Sequence, residues 1–358
     1  MSFKSSIAIT AGKTSHWFLH NFMHGGTSLP GKLTLKIDPD VLKALAKDYE
    51  LVIITGTNGK TLTTALTVKV LQAKYGNVLT NKSGSNMKQG IVTAFLTAQK
   101  TSSGKKLAVL ETDEANVPIV CEYIKPKMFV LTNLFRDQMD RYGEIYTTYD
   151  KILKGVLMHP DALVLANGDA PIFNSKELPN KVVYYGFADK AEKDQLAPAN
   201  TDGLLCPSCQ HILHFKYRSY SNLGKYFCPH CGFKRPELTY KVDQISAQTP
   251  QSSKFKINGH EVELHIGGTY NIYNALAAYA VGSQLDVEPE TICQALSQND
   301  EKVFGRQEVI DLDGKEVTMI LVKNPVGLDQ VLEMIKTDDK PFSLAVLLNA
   351  NYADGIDT

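Results

Sequence analysis

No stretch of about 18 consecutive apolar residues occurs in the 358-residue chain, which excludes a spanning helix. The N-terminal MSFKSSIAITAGKTSHWFLHN offers no secretory core either, because Gly12 and Lys13 interrupt its apolar stretch after a few residues. Net charge is absent as well: 38 Lys+Arg meet 38 Asp+Glu, so binding to nucleic acid through a global basic field is excluded, although a local patch is not. Cysteines number only six, an odd disulfide inventory for a long chain. What remains is an ordinary globular composition, 43% hydrophobic and 21% charged, over a length that implies two or three domains. The expected location is the cytoplasm.

Four of the cysteines are not scattered. Cys206-Pro207-Ser208-Cys209 and Cys228-Pro229-His230-Cys231 are two CxxC pairs separated by residues 210–227, the spacing of a zinc ribbon. Each pair on a tight turn points two thiolates at one tetrahedral ion. Four thiolates close the coordination sphere, so the expected zinc is structural and His211 and His230 are bystanders. Cys121 and Cys293 read as small buried hydrophobes.

Elsewhere strands and helices alternate. Asp38-Pro39 reads as an N-cap and first helical position, with Val41, Leu42, Leu45 and Ala46 as the apolar face. The run LVIIT (51–55) reads as a buried parallel strand, and TLTTALTVKVLQAKYG as a helix stopped by Gly76. Further apolar runs at 107–110, 128–132 and 162–165 extend the pattern to a doubly wound α/β sheet. Residues 201–236 look like an insertion into it. A helix is expected at 270–283 and a strand at 342–349.

The turn after the first strand carries the chemistry. Thr55-Gly56-Thr57-Asn58-Gly59-Lys60-Thr61 ends in GKT, so backbone N–H groups at a helix start can cradle phosphate oxygens. Lys60 would neutralise the β/γ phosphates of ATP and the Thr61 hydroxyl would reach Mg²⁺. Ile54 stands where the strict P-loop pattern has its first glycine.

The form TGTNGKT resembles the P-loop variant of the Mur ligases and the related folylpolyglutamate synthetases. LAVLETDEA places Glu111 where that family holds a Mg²⁺-binding glutamate, and LTNLFRDQMDRYG (131–143) resembles its segment ending D-H-x-D. YNIYNALAA (270–278) resembles the helix start that faces adenine, and Phe304-Gly305-Arg306-Gln307-Glu308 the segment whose arginine faces the nucleotide. Departures narrow the likeness. Gln138 replaces a metal-site histidine and Tyr270 an adenine-site histidine; Lys323-Asn324-Pro325 replaces the usual entry to the third domain; and the zinc ribbon is foreign to ordinary amino-acid-adding members. The family's modified lysine would be Lys151 or Lys154. The combination is similar to the MurT branch, Mur-ligase-like subunits of lipid II isoglutaminyl synthase, a likeness that GGTSLPGK (25–32) and NANYADGIDT (349–358) extend.

That resemblance implies ATP-dependent amidation of the D-glutamate α-carboxylate in the lipid II stem peptide, with ammonia supplied by a GatD-like glutamine amidotransferase. Lys60 and Glu111 would serve catalysis, with Thr61 and Glu111 holding Mg²⁺. Thr55, Gly56, Thr57, Asn58, Gly59, Lys60, Thr61, Asn271, Asn274 and Arg306 would contact or frame the nucleotide. An aspartate of ADGID, Asp354 in preference to Asp357, would orient the partner's catalytic histidine. The aromatic, histidine-rich stretch from His16 to His24 is expected to pack on the core or to meet the polyprenyl-linked substrate at the inner face of the membrane. Residues 1–48 would pack on a central ATPase domain at 49–307, followed by the start of a C-terminal domain at 308–358, so a truncated chain is expected. The alternatives are an amino-acid-adding ligase of the same fold, or a non-catalytic zinc-ribbon module on a nucleotide-binding scaffold.

Overall fold

The computed structural model describes residues 2–22, 28–81, 85–98, 106–136, 144–188, 194–197, 203–298 and 307–347. Its strands are β1 (Glu50–Thr55), β2 (Val78–Thr80), β3 (Leu107–Glu111), β4 (Pro126–Leu131), β5 (Leu163–Asn167), β6 (Val182–Phe187), β7 (Gln195–Leu196), β8 (His214–Tyr220), β9 (Leu223–Phe227), β10 (Tyr240–Gln248), β11 (Ser253–Ile257), β12 (His260–Leu264), β13 (Glu308–Leu312) and β14 (Lys315–Met319). Its helices are α1 (Phe3–Phe22), α2 (Leu29–Ile37), α3 (Val41–Ala46), α4 (Lys60–Tyr75), α5 (Lys88–Leu96), α6 (Val117–Cys121), α7 (Ile145–Leu157), α8 (Thr269–Gln284), α9 (Pro289–Ser297) and α10 (Pro325–Ile335).

Nine strands form one sheet in the order β12-β11-β10-β6-β5-β4-β1-β3-β2. From β2 to β10 every neighbouring pair is parallel, and β11 and β12 add an antiparallel edge. β1 buries Leu51 to Thr55 without alternation, because a central parallel strand is covered on both faces. From β1 the chain runs outward to β2, returns to β3, then crosses β1 to β4 and continues to β5 and β6. Right-handed crossovers therefore place α4 and α7 on opposite faces, a doubly wound mixed α/β architecture. The reversal occurs at β1, whose end has Ile54 beside Glu111 of β3 and Thr55 beside Leu131 of β4. That is the switch point outside which ligands bind in such sheets.

Gly76 ends α4 as expected, at φ 72°, its N–H donating to Gln72 O. The reading of Asp38 is corrected. It closes α2 rather than opening α3, whose cap is Asp40, and its carboxylate accepts a 2.6 Å hydrogen bond from Ser5 of α1. Its other carboxylate oxygen accepts from Asp40 N at 3.1 Å, so Asp38 still organises the turn into α3, two residues before the cap. The strand expected at 342–349 is also corrected: the described part, 342–347, pairs with no strand, and Leu347 is 96% exposed. An apolar run becomes a strand only where a sheet edge receives it, and β13 and β14 pair with each other.

Between the parallel neighbours β6 and β10, where a helical crossover is usual, the chain builds the ribbon from β7, β8 and β9. A buried polar cluster ties it to the main core. Asp169, fully buried, accepts hydrogen bonds from Arg235 Nη1 (2.8 Å), Phe187 N (2.7 Å) and Tyr273 Oη (2.6 Å). The Tyr273 hydroxyl also meets Ser219 Oγ at 2.7 Å, and its ring stacks on Phe187 at 4.2 Å. Tyr273→Phe keeps the stack and removes a bond to a charged group, so a loss of about 1.5–3 kcal/mol of stability is expected in urea denaturation. An unchanged urea midpoint would show that the phenol contributes nothing.

Candidate active site

The P-loop needs glycine at two places. Gly56 has φ 133°, and a Cβ there would lie 2.3 Å from Thr132 Oγ1. Gly59, at φ 81°, starts α4, and a Cβ there would lie 2.2 Å from Asn274 Oδ1. The segment after β4 clamps the loop. Asn133 accepts from Thr57 N (2.9 Å) through its carbonyl and from Asn58 N (2.8 Å) through its side chain, while its Nδ2 donates to Asn58 O (3.0 Å). Thr132 Oγ1 donates to the same carbonyl at 3.1 Å.

Lys60 lies in the first turn of α4, its side chain 14% exposed. Its Nζ donates to Gly56 O at 2.5 Å and to Thr57 O at 3.3 Å, and reaches Glu114 Oε1 at 3.3 Å. Burial alone would draw the ammonium's pKa down, but the carboxylates of Glu114, Glu111 and Asp113 outweigh it and hold the pKa above the ordinary lysine value. Burial pushes Glu114 up; Lys60 opposes this and Asp113 adds to it. Glu111 is buried at the end of β3, its backbone bonded to the Asn81 side chain (2.8 and 2.9 Å) and its Oε1 accepting from Asn86 Nδ2 at 3.2 Å. Thr61 starts the same helix turn as Lys60. A hydroxyl and a carboxylate in this order at a sheet switch point are the oxygen donors Mg²⁺ takes.

Beside the loop opens a cavity of 390 Å³, within the range of small-ligand sites. Its walls are apolar, among them Leu62, Ile266, Val326 and Val331, and the amides of Asn58, Asn271 and Asn274 give it a polar rim. Asn271 and Asn274 work on the scaffold. Asn271 Nδ2 donates to Gly267 O (2.7 Å), Asn274 Nδ2 to Asn271 Oδ1 (3.2 Å), and Thr63 Oγ1 to Asn274 Oδ1 (3.2 Å). The far wall comes from residues 320–331. There Asn324 caps α10, its Oδ1 accepting from Gly327 N at 2.9 Å, and exchanges two hydrogen bonds with Asn58, of 3.0 and 3.3 Å.

In the ribbon, the four Sγ atoms of Cys206, Cys209, Cys228 and Cys231 lie within 4.8 Å of one another. The two knuckles repeat one geometry. Cys206 N donates to His211 O and Cys228 N to Phe233 O, five residues on in each, and the left-handed corner falls on Gln210 (φ 63°) and Gly232 (φ 77°). Burial raises the Cys228 thiol's pKa, but the backbone N–H groups of Cys231 and His230 and the neighbouring Cys209 and Cys231 sulfurs outweigh it and draw it down. Four sulfurs converging from two such turns fit a tetrahedral zinc ion. His211 and His230 stack at 3.8 Å and, with Cys209, form a second grouping compatible with a metal.

The model of the Mur ligase middle domain matches residues 54–221, and that of the MurT ligase C-terminal matches residues 321–358. The lipid II isoglutaminyl synthase (glutamine-hydrolyzing) subunit MurT of Streptococcus pneumoniae (strain ATCC BAA-255 / R6) is 52% identical over all 358 residues, which cover 80% of that protein. The chain belongs to the MurT family. The MurT of Staphylococcus aureus (strain N315) is 35% identical over 338 residues, 93% of this chain and 75% of that one. Among solved structures, a pseudomurein peptide ligase type C from Methanothermus fervidus matches 83% of the chain with a TM-score of 0.67 and 26% identity; the chain spans 58% of its length.

In this MurT-family chain the fold brings Thr55, Gly56, Thr57, Asn58, Gly59, Lys60, Thr61, Glu111, Asn271 and Asn274 to one end of the sheet. Lys151 and Lys154 lie on α7. Arg306, Gln138, Asp354 and Asp357 lie outside the described residues. Sequence reasoning missed Glu114, Asn133 and the pairing role of Asn324. Glu114 sits three residues from Glu111 in LETDEA, and Asn133 ends the run MFVLTN, so chain position at a strand end was the available signal.

Proposed function

We propose that this chain is the ATP-dependent ligating subunit of a lipid II isoglutaminyl synthase. It would convert the α-carboxylate of the stem-peptide D-glutamate to the amide with ammonia from a GatD-like glutaminase subunit. The observation that carries the reading is 52% identity over the whole chain with a MurT protein, joined to a P-loop whose Lys60 is held ready by Glu114.

A carboxylate resists attack by ammonia because its charge repels the nucleophile and oxide is a poor leaving group. Attack of a carboxylate oxygen on the γ-phosphorus of ATP breaks the bond to the β–γ bridging oxygen, releases ADP and gives an acyl phosphate. The ammonia lone pair then adds to the acyl carbon, phosphate departs with the bonding pair, and the nitrogen loses a proton. The helix N-terminus after Gly59 would hold the β phosphate, and Lys60 would leave Glu114 to neutralise the transferred phosphoryl. Mg²⁺ bound between Thr61 and Glu111 would supply charge neutralisation at the β and γ oxygens. Arg306 would contact the nucleotide. The base would enter the 390 Å³ cavity, where Asn58 and the amide chain of Asn271 and Asn274 fix the rim. Asp354, with Asp357 second, would orient the glutaminase histidine across the subunit interface, and the ribbon's zinc would be structural. The protein would act in the cytoplasm.

The test incubates the chain and its glutaminase partner with ATP, lipid II and ammonium. Amidated lipid II and ADP in equal amounts are expected. No amidated product sinks the proposal, and product formed with an amino acid in place of ammonia would favour the amino-acid-adding ligase.

A further inference from the structure

Helix α1 buries mostly small residues and leaves its aromatic ones outward. Its buried positions are Ser5, Ala8, Gly12 and Leu19. Gly12 sets the close approach: a Cβ there would lie 2.1 Å from Thr34 Oγ1 of α2 and 2.7 Å from Leu96 Cδ1 of α5. Phe3 (83% exposed), Ile7, Trp17 (60%), Phe18 and Phe22 (64%) are left in solvent. At 3.6 residues per turn, Phe3, Ile7, Phe18 and Phe22 fall on one side of the helix, about 120° round from the buried line, as two apolar ends separated by Thr10, Ala11, Thr14 and Ser15. Leu33 of α2 joins Ile7 and Phe18 along a groove, with exposed Leu29 one turn away. Phe22 packs on Phe18 at 5.0 Å and on Trp17 at 6.0 Å, so the aromatic side chains form a cluster. Exposed aromatic residues clustered in this way mark a candidate interaction site.

Lysines outnumber carboxylates around this face: Asp40, just beyond α2, acts on Lys4, and no carboxylate lies within α1 or α2. Residues 2–37 contain Lys4, Lys13, Lys32 and Lys36 and no Asp or Glu, in a chain that is neutral overall. All four lysines are exposed. In a two-fold dimer the same patch would meet itself, setting the lysines of one copy against those of the other. An anionic surface satisfies the lysines and the apolar residues together.

We propose that the outer face of α1 and α2 docks on a membrane surface containing anionic lipid, with the aromatic cluster in the headgroup region and the lysines on lipid phosphates. The helix lies on the bilayer: among the described residues no helix is long and apolar enough to cross one. The inference deepens the proposed function, whose substrate is lipid-linked, but uses none of the P-loop residues, so vesicle binding and amidation fail separately.

The chain has a single tryptophan, Trp17, so its fluorescence reports this face alone. The experiment titrates the full chain with vesicles of phosphatidylcholine containing roughly a third phosphatidylglycerol, and with pure phosphatidylcholine vesicles. A blue shift and protection from acrylamide are expected with the anionic vesicles, reversed by about 0.5 M NaCl. Vesicle flotation of the double variants Phe18→Ser/Phe22→Ser and Lys32→Glu/Lys36→Glu should fall by about tenfold or more, with circular dichroism unchanged. No shift with anionic vesicles, or equal shifts with both lipids, overturns the proposal. So does Trp17 emission already shielded before vesicles are added in a chain that sediments as a dimer, which assigns the face to a second copy.

Discussion

Replacing Lys60 with methionine is expected to lower lipid II-dependent ADP formation by about 10³-fold or more while leaving the chain folded. The ammonium sits in a socket of two loop carbonyls and the Glu114 carboxylate, with Glu111 and Asp113 acting on it from nearby. A phosphoryl group entering this end of the sheet meets three carboxylates. Without Lys60 the repulsion from Glu111 and Asp113 is opposed only by the helix N-terminus and the metal. The fold tolerates the change because burial already pushes Glu114 towards its neutral form, and a protonated Glu114 can remain buried without a cation. The loss should appear in kcat, since the charge Lys60 meets develops on the transferring group. A variant that keeps more than about a tenth of the rate would remove Lys60 from the chemistry.

The second large effect concerns the ribbon. Cys228→Ser is expected to release zinc and to melt residues 203–236 while the main sheet persists. The ribbon's own core is small: Ala197, Cys206, Leu213, Phe215, Tyr226 and Cys228, two of them ligands. So few buried side chains cannot hold a three-stranded sheet, and a structural zinc ion contributes about 10–16 kcal/mol in small zinc domains. Metal analysis should fall from one zinc per chain to none, and amide exchange across β8 and β9 should rise by orders of magnitude. The consequence reaches the cavity, because a melted ribbon frees Arg235 and Ser219 from Asp169 and Tyr273, and Tyr273 lies between Asn271 and Asn274 on α8. Cys121→Ser is the control. That cysteine is buried in the main core, its thiol pushed up to about 12, and its loss should leave zinc content unchanged. Full zinc content and unchanged exchange in Cys228→Ser would refute the assignment.

The strand-loop-helix unit at 50–76 was legible because three local signals agree: a continuous apolar run, glycines where the turn needs them, and a glycine stop. The ribbon was legible because ligand spacing is a property of adjacent residues. What escaped depends on distance along the chain. LETDEA offers three carboxylates, and only the tertiary fold selects Glu114 as the one that touches Lys60. Asp169 finds Arg235 and Tyr273, 66 and 104 residues away, and no local pattern pairs them. The strand expected at 342–349 is the converse case, a local pattern whose described part, 342–347, meets no neighbouring strand.

The amide pair of Asn58 and Asn324 joins the phosphate loop to a segment 266 residues further on. Each side gives one hydrogen and accepts one, and neither carries a charge. Ion pairs in such a position would loosen with salt and with proton uptake. Two neutral amides do neither, so the contact that closes this end of the cavity is insensitive to the ionic state of its surroundings and answers to what occupies the space beside it.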